Sequence, residues 1–282
     1  MNNLKYAFGL LLKIIGVLLK RVFGKKQNPK WNLKTELIWA TTRYTLLSSN
    51  IYGLKWLKEL SNQFSPKPKL KNQIKIEELE TEVGNYLKIM PKTNDKIYND
   101  RIIIYFHGGG YVLGSPRANI EFTSRVAITS HSTILVPFYP TAPEAQYPAA
   151  QEFAVEIVET FIKEYSGHKL YLAGDSAGAA LVLSTYMNLS EEDALKIEGC
   201  ILISPWAEPT SQSGTIKTNS KNDVGDSKYL LNCYNAYLNE QKIQLKYPLS
   251  FDKSNLIRLP KTFISIGTAE MLLDQTKESI LF

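Results

Sequence analysis

Five short apolar runs recur along the chain, at residues 101–106, 133–138, 169–173, 199–204 and 262–266. In the first, Ile102-Ile103-Ile104-Tyr105-Phe106 is unbroken, the pattern of a strand covered on both faces. Between the runs, residues 117–130, 148–165 and 176–189 place apolar side chains at helical spacing. Strand alternating with helix predicts an α/β domain, a mostly parallel central sheet flanked by helices. Residues 73–80 and 85–90 alternate apolar with polar and lie close in sequence, which predicts an antiparallel pair ahead of the parallel strands. Residues 207–246 interrupt the alternation. Their first half is polar and contains glycine, whereas Tyr229, Leu230, Tyr234, Tyr237 and Leu238 mark a helix in the second, so an inserted lid is expected there. The breaker run Ser65-Pro66-Lys67-Pro68 divides a helical segment, 25–70, from the main domain, 71–282. No internal repeat is found.

Residues 4–23 form the most apolar stretch, interrupted by Lys5, Lys13 and Lys20. At about 100° per residue these lysines fall on one narrow face, shared with Gly9 and Gly16. Leu4, Phe8, Leu11, Leu12, Ile15, Leu18, Leu19 and Val22 cover the rest. Residues 1–24 are therefore expected to form an amphipathic helix lying in a membrane interface. The alternative is a helix packed on the domain itself, over the active site. A spanning helix is disfavoured, because Lys13 near the bilayer centre costs about 2.5–3.5 kcal/mol. A cleaved signal is disfavoured too, since Lys13 breaks the apolar region and no small-residue cleavage pattern follows. Every reading except secretion leaves the main domain in the cytoplasm, at most peripheral on a membrane's cytoplasmic face.

Composition narrows the partners. A chain of 282 residues, 44% hydrophobic and 21% charged, can bury a sizeable core and is not disordered. The net charge of +6 gathers near the N-terminus, at Lys5, Lys13, Lys20, Arg21, Lys25, Lys26, Lys30 and Lys34. With apolar residues between them, these charges suit anionic lipid rather than nucleic acid. Three scattered histidines and two distant cysteines make no metal-ligand set. The glycine motifs lack G-x-G-x-x-G spacing and no Walker pattern occurs, so no cofactor is expected. Cys200 and Cys233 imply no disulfide framework, and a reducing compartment is the simpler reading.

Two motifs carry chemistry. Gly174-Asp175-Ser176-Ala177-Gly178 follows the apolar run 169–173 and opens a helical pattern. That is G-x-S-x-G in the strand-to-helix setting of a nucleophile elbow. A sharp turn there holds the serine in a strained conformation, and small neighbours let the flanking backbones pass closely. The hydroxyl then sits at a helix N-terminus, where the dipole favours developing negative charge. His107-Gly108-Gly109-Gly110 also follows an apolar run and has the pattern of an anion-hole loop. The backbone N–H groups of Gly109 and Gly110, with that of Ala177 as a third, are the candidate oxyanion donors.

With both motifs in this order, the sequence from about residue 73 to 282 resembles the hormone-sensitive-lipase-like serine esterases of the α/β-hydrolase superfamily. Further matching segments are Gly114-Ser115-Pro116, Tyr139-Pro140-Thr141-Ala142-Pro143-Glu144, Tyr147-Pro148-Ala149-Ala150, Ser204-Pro205-Trp206 and Gly267-Thr268-Ala269-Glu270-Met271-Leu272-Leu273-Asp274. Pro140 stands where the family commonly has arginine. The resemblance implies the α/β-hydrolase fold with an N-terminal cap and a cap insert, consistent with residues 1–70 and 207–246. It also implies an acyl-enzyme mechanism on a small-molecule ester through Ser176. Glu270, just after the run 262–266, takes the place of the catalytic acid, with Asp274 the runner-up.

The triad order of this fold is Ser, then Asp or Glu, then His, yet no histidine follows Glu270. The family's last strand and helix, which carry it, are therefore expected to be missing, leaving 262–266 as an exposed edge. Of the histidines present, His107 belongs to the glycine loop, where the family gives it a structural job. His131 and His168 precede strands, far from the carboxyl ends where such sites lie. Loss of the base costs about a million-fold in turnover where it has been measured in a serine hydrolase, so the 282-residue chain is expected to be nearly inactive. The alternative is a catalytically dead relative that binds a small apolar ligand, a route the family's receptor-like members resemble. Oligomeric state is not legible.

Overall fold

The structure, a computed structural model, describes residues 2–63, 66–92, 100–212, 214–238, 246, 248–251 and 258–279. Three helices come first: α1 (Asn2–Val22), α2 (Leu33–Tyr52) and α3 (Leu54–Asn62). Helix α2 begins where Asn32 Oδ1 accepts the N–H of Thr35 at 2.8 Å, satisfying a donor the helix leaves orphaned. Next come β1 (Ile74–Glu80), β2 (Asn85–Pro91), β3 (Arg101–Phe106), α4 (Ile120–Ser130), β4 (Thr133–Pro137), α5 (Ala149–Glu164), β5 (Lys169–Asp175), α6 (Ala177–Asn188), α7 (Glu191–Ala194) and β6 (Ile197–Ile203). The insertion carries α8 (Thr215–Thr218) and α9 (Ser227–Leu238), and β7 (Lys261–Ser265) and α10 (Leu273–Ser279) follow. Ser65 of the breaker run and residues 213 and 239–245 of the insertion lie outside the described residues.

The seven strands form one sheet in the order β1-β2-β4-β3-β5-β6-β7. β2 pairs antiparallel with β1 and β4, and every pairing from β4 to β7 is parallel. Strand β5 runs two residues beyond the apolar run that marks it. Gly174 and Asp175 still pair with Leu202 and Ile203 of β6, a backbone ladder that side-chain polarity does not report.

One face of the sheet is covered by α5 and α6. Residues 177–186 of α6 are buried on every side, as a helix without a polar face must be. Leu181, Val182 and Leu183 are fully buried there, each contributing about 1.5–3 kcal/mol. On the opposite face α4 packs over the antiparallel half, where Ala127 meets a cluster with Ile89, Ile134 and Val136. At the far edge, β7 has no outer neighbour among the described residues, and Phe263 is 63% exposed.

Helix α1 lies against α2. Gly9 faces Tyr44 there, and a Cβ on it would strike the Tyr44 hydroxyl. The side that carries Gly9 is therefore part of the packed side, and Lys13 is half-buried with it. Helix α2 in turn grips the insertion. Trp39 Nε1 donates to Asn222 O at 2.7 Å, Arg43 Nη1 to Gly225 O at 2.6 Å, and Asn232 Nδ2 to Asn50 Oδ1 at 3.0 Å.

Candidate active site

Strained backbone collects at the carboxyl ends of β3, β5 and β6. Gly109, Gly110, Tyr111, Gly114, Ser176 and Ser204 all have positive φ, a conformation costly for the non-glycine residues and sustained by tight surroundings. Ser176, at φ +53°, joins β5 to α6. Its N–H donates to Ile203 O at 2.9 Å, and its carbonyl accepts the Trp206 N–H at 3.1 Å. The turn closes only with glycine on both sides. A Cβ on Gly174 would lie 2.5 Å from the Gly178 carbonyl carbon, and one on Gly178 would lie 2.6 Å from His107 O.

The His107–Gly110 loop follows β3, beside this turn, and Asp175 ties the two together. Its Oδ1 accepts the Gly108 N–H at 2.7 Å and the Tyr105 hydroxyl at 2.5 Å. Burial nonetheless raises the Asp175 pKa above its ordinary value, against the lowering effect of those two donors. The N–H groups of Gly109, Gly110 and Ala177 have no hydrogen-bond partner among the described residues. The Ser176 hydroxyl also has none. Three free amide donors thus gather around the end of the sheet that holds the serine, an arrangement able to hold an oxyanion.

His107 is committed elsewhere. Gly108 O can only accept, so Nδ1 carries a proton and donates to it at 2.8 Å. The ring stacks on Tyr139 at 4.4 Å between centroids, and the Tyr139 hydroxyl donates to His107 O at 2.7 Å. Burial pushes the imidazole pKa down to about 4. His107 is a neutral wedge under the glycine loop. His131 caps the end of α4 and His168 precedes β5, both at the opposite end of the strands. The seven residues of β5 put roughly 20 Å between His168 and the serine turn.

Glu270 follows β7 by one short turn. Its Oε1 accepts the Gly267 N–H at 2.7 Å, and its carbonyl accepts from Asn219 Nδ2 of the insertion at 3.0 Å. Asp274 is bound to the start of α8, accepting the Thr215 N–H at 2.9 Å. That places Asp274 in the scaffold of the insertion. β7 reaches the serine turn through β6, where the Ser204 N–H donates to Ser265 O at 2.7 Å.

Several contacts of the site carry no sequence signal of their own. Asp175 occupies a free position of G-x-S-x-G. Cys233 and Trp206 press on the glycine loop, where a Cβ on Gly110 would lie 2.9 Å from Cys233 Cβ. Tyr111 stacks on Tyr237 at 4.5 Å and bridges the loop and α9. Both cysteines are free and buried.

A sheet of this order with a serine at the strand-to-helix turn defines a class, and residues 103–280 match the family model described as the alpha/beta hydrolase fold. The chain belongs to that family. Among curated relatives, an esterase of Acinetobacter venetianus is 29% identical over 179 residues, 63% of this chain and 59% of its own length. An acetyl-hydrolase of Streptomyces hygroscopicus is 29% identical over 180 residues, 63% of this chain and 60% of its own. The chain thus spans about three fifths of the length of these relatives. The crystal structure of an esterase from the bacterial hormone-sensitive lipase family superposes with a TM-score of 0.65. It covers 95% of this chain and 82% of its own at 22% identity, a likeness of fold.

Proposed function

We propose that the chain is built as a carboxylic-ester hydrolase acting through an acyl-enzyme on Ser176. The observation that carries this is Ser176 at φ +53°, beside the unpartnered N–H groups of Gly109, Gly110 and Ala177. In this reading Ser176 Oγ attacks the ester carbonyl and its proton passes to a base. The carbonyl oxygen becomes an oxyanion held by the three amides, and collapse expels the alcohol. Water then releases the acid. Glu270 serves to orient and stabilise the protonated base, while α1–α3 and the α8–α9 insertion act as cap and lid. The esterase and acetyl-hydrolase names of the relatives support an ester substrate.

None of the three histidines can be that base, so the 282-residue chain turns over weakly. Added imidazole supplies the missing proton acceptor. The test follows p-nitrophenyl acetate hydrolysis by the wild type and Ser176→Ala across an imidazole series. A wild-type rate that climbs above the Ser176→Ala rate supports the reading. Coincident curves refute it. A second reading, a pocket that binds a small apolar ligand without chemistry, predicts saturable binding and coincident imidazole curves.

A further inference from the structure

We propose that the outer face of α1 docks the protein flat on an anionic lipid surface. This inference is independent of the ester-hydrolase reading. Helix α1 is fastened along one side only. Near its start Asn3 Oδ1 accepts from Trp56 Nε1 at 2.8 Å, and the Tyr6 hydroxyl bonds to Thr45 Oγ1 at 2.7 Å. Near its end Arg21 pairs with Glu36 at 2.6 Å and donates to Trp31 O. Val17 is buried between. The opposite side presents Leu4, Phe8, Leu11, Ile15, Leu19 and Val22, all exposed, with Phe8 at 64% and Val22 at 79%. Packing against α2 therefore selects which side faces outward, and it is the apolar one. A continuous apolar stripe of this length on a surface marks a contact site.

Charge identifies the occupant. Residues 1–35 contain seven lysines, one arginine and no Asp or Glu. Lys5, Lys20, Lys25 and Lys26 are exposed at the border and the end of the stripe. A bilayer with anionic headgroups satisfies both features, because apolar side chains enter the acyl boundary while ammonium groups stay with the phosphates. A second copy of the chain fits poorly, since pairing two such faces would bring their lysines together. Both ends of α1 are tied to α2 or α3 through polar side chains, so the helix lies along the domain and in the membrane plane. A helix of this length and composition could cross a bilayer, but crossing would break the Arg21–Glu36 pair and bring Lys13 near the bilayer centre.

The experiment is co-sedimentation of the full chain with vesicles of phosphatidylcholine, with or without phosphatidylserine. Wild type is expected to bind the phosphatidylserine vesicles about tenfold more tightly and to be released by salt. Leu11→Asp with Leu19→Asp is expected to cut the bound fraction about tenfold. Lys25→Glu with Lys26→Glu leaves the apolar stripe intact and is expected to remove the phosphatidylserine preference, which keeps the test sharp if the first variant misfolds. Equal binding to both vesicles overturns the anionic assignment. Wild type staying in the supernatant overturns the proposal, and a dimer in sedimentation velocity abolished by the Asp pair would assign the face to a second copy.

Discussion

Replacing Asp175 tests the joint between the serine turn and the glycine loop. One carboxylate oxygen accepts both the Gly108 N–H and the Tyr105 hydroxyl, and Tyr105 is buried. In Asp175→Ala both donors lose their partner, and each orphaned buried group costs about 1–3 kcal/mol. Removing a carboxylate that burial already disfavours returns part of this, so a net loss of about 2–4 kcal/mol is expected. Asp175→Asn keeps an acceptor in place and gives up only the charge assistance, about 1 kcal/mol per bond before the same offset. It should sit within about 1 kcal/mol of wild type at neutral pH. The pH dependence has a definite sign. A carboxyl whose folded pKa is raised contributes fully below its ordinary value of 3.8 and loses that contribution as pH rises through the folded pKa. The difference between wild type and Asp175→Asn should therefore shift in favour of Asn as pH rises from below 3.8. Urea unfolding followed by tryptophan fluorescence measures each value, with Trp206 reporting from beside the glycine loop. A loss under about 1 kcal/mol in Asp175→Ala, or equal losses in Ala and Asn, would refute the two-donor account.

Other substitutions follow from the same contacts. Gly174→Ala and Gly178→Ala each drive a Cβ into backbone and are expected to cost about 3 kcal/mol or abolish soluble expression, readable in thermal melts. Glu36→Ala should lower stability by about 1–3 kcal/mol, because Arg21 loses its partner. Burial raises the Glu36 pKa, but its bonds to Arg21 and the Gln27 N–H outweigh this and hold it below 4.5. The wild-type advantage is thus present above 4.5 and lost as pH falls through the folded value. Burial pushes both cysteine thiols up to about 12, so neither should react with a thiol reagent at pH 8 until the chain unfolds.

Legibility followed the physics of each signal. The central strands announced themselves because burial on both faces demands unbroken apolar runs, as at Ile102–Phe106. The serine turn and glycine loop were legible because both need small residues at fixed spacing. What the sequence hid was contact across distance. Asp175 gives no hint of its bonds to Gly108 and Tyr105, and nothing in residues 227–238 foretells that Cys233 would press on Gly110. Helical periodicity found the apolar stripe of α1 but not what its glycine-bearing side packs against. There the close approach of Tyr44 makes Gly9 a packing residue, a fact set by a partner helix. The bond that ties Asp274 to Thr215 of the insertion likewise gives no sign in the sequence.

The most direct test of Ser176 as nucleophile is to trap the acyl group. Wild type and Ser176→Ala are incubated with p-nitrophenyl butyrate and imidazole, quenched in acid, digested and mapped by mass spectrometry. The account predicts a butyryl group on the wild-type peptide carrying Ser176 and none at that position in the variant. An unmodified Ser176, with acylation confined to lysines and equal in both proteins, would contradict it.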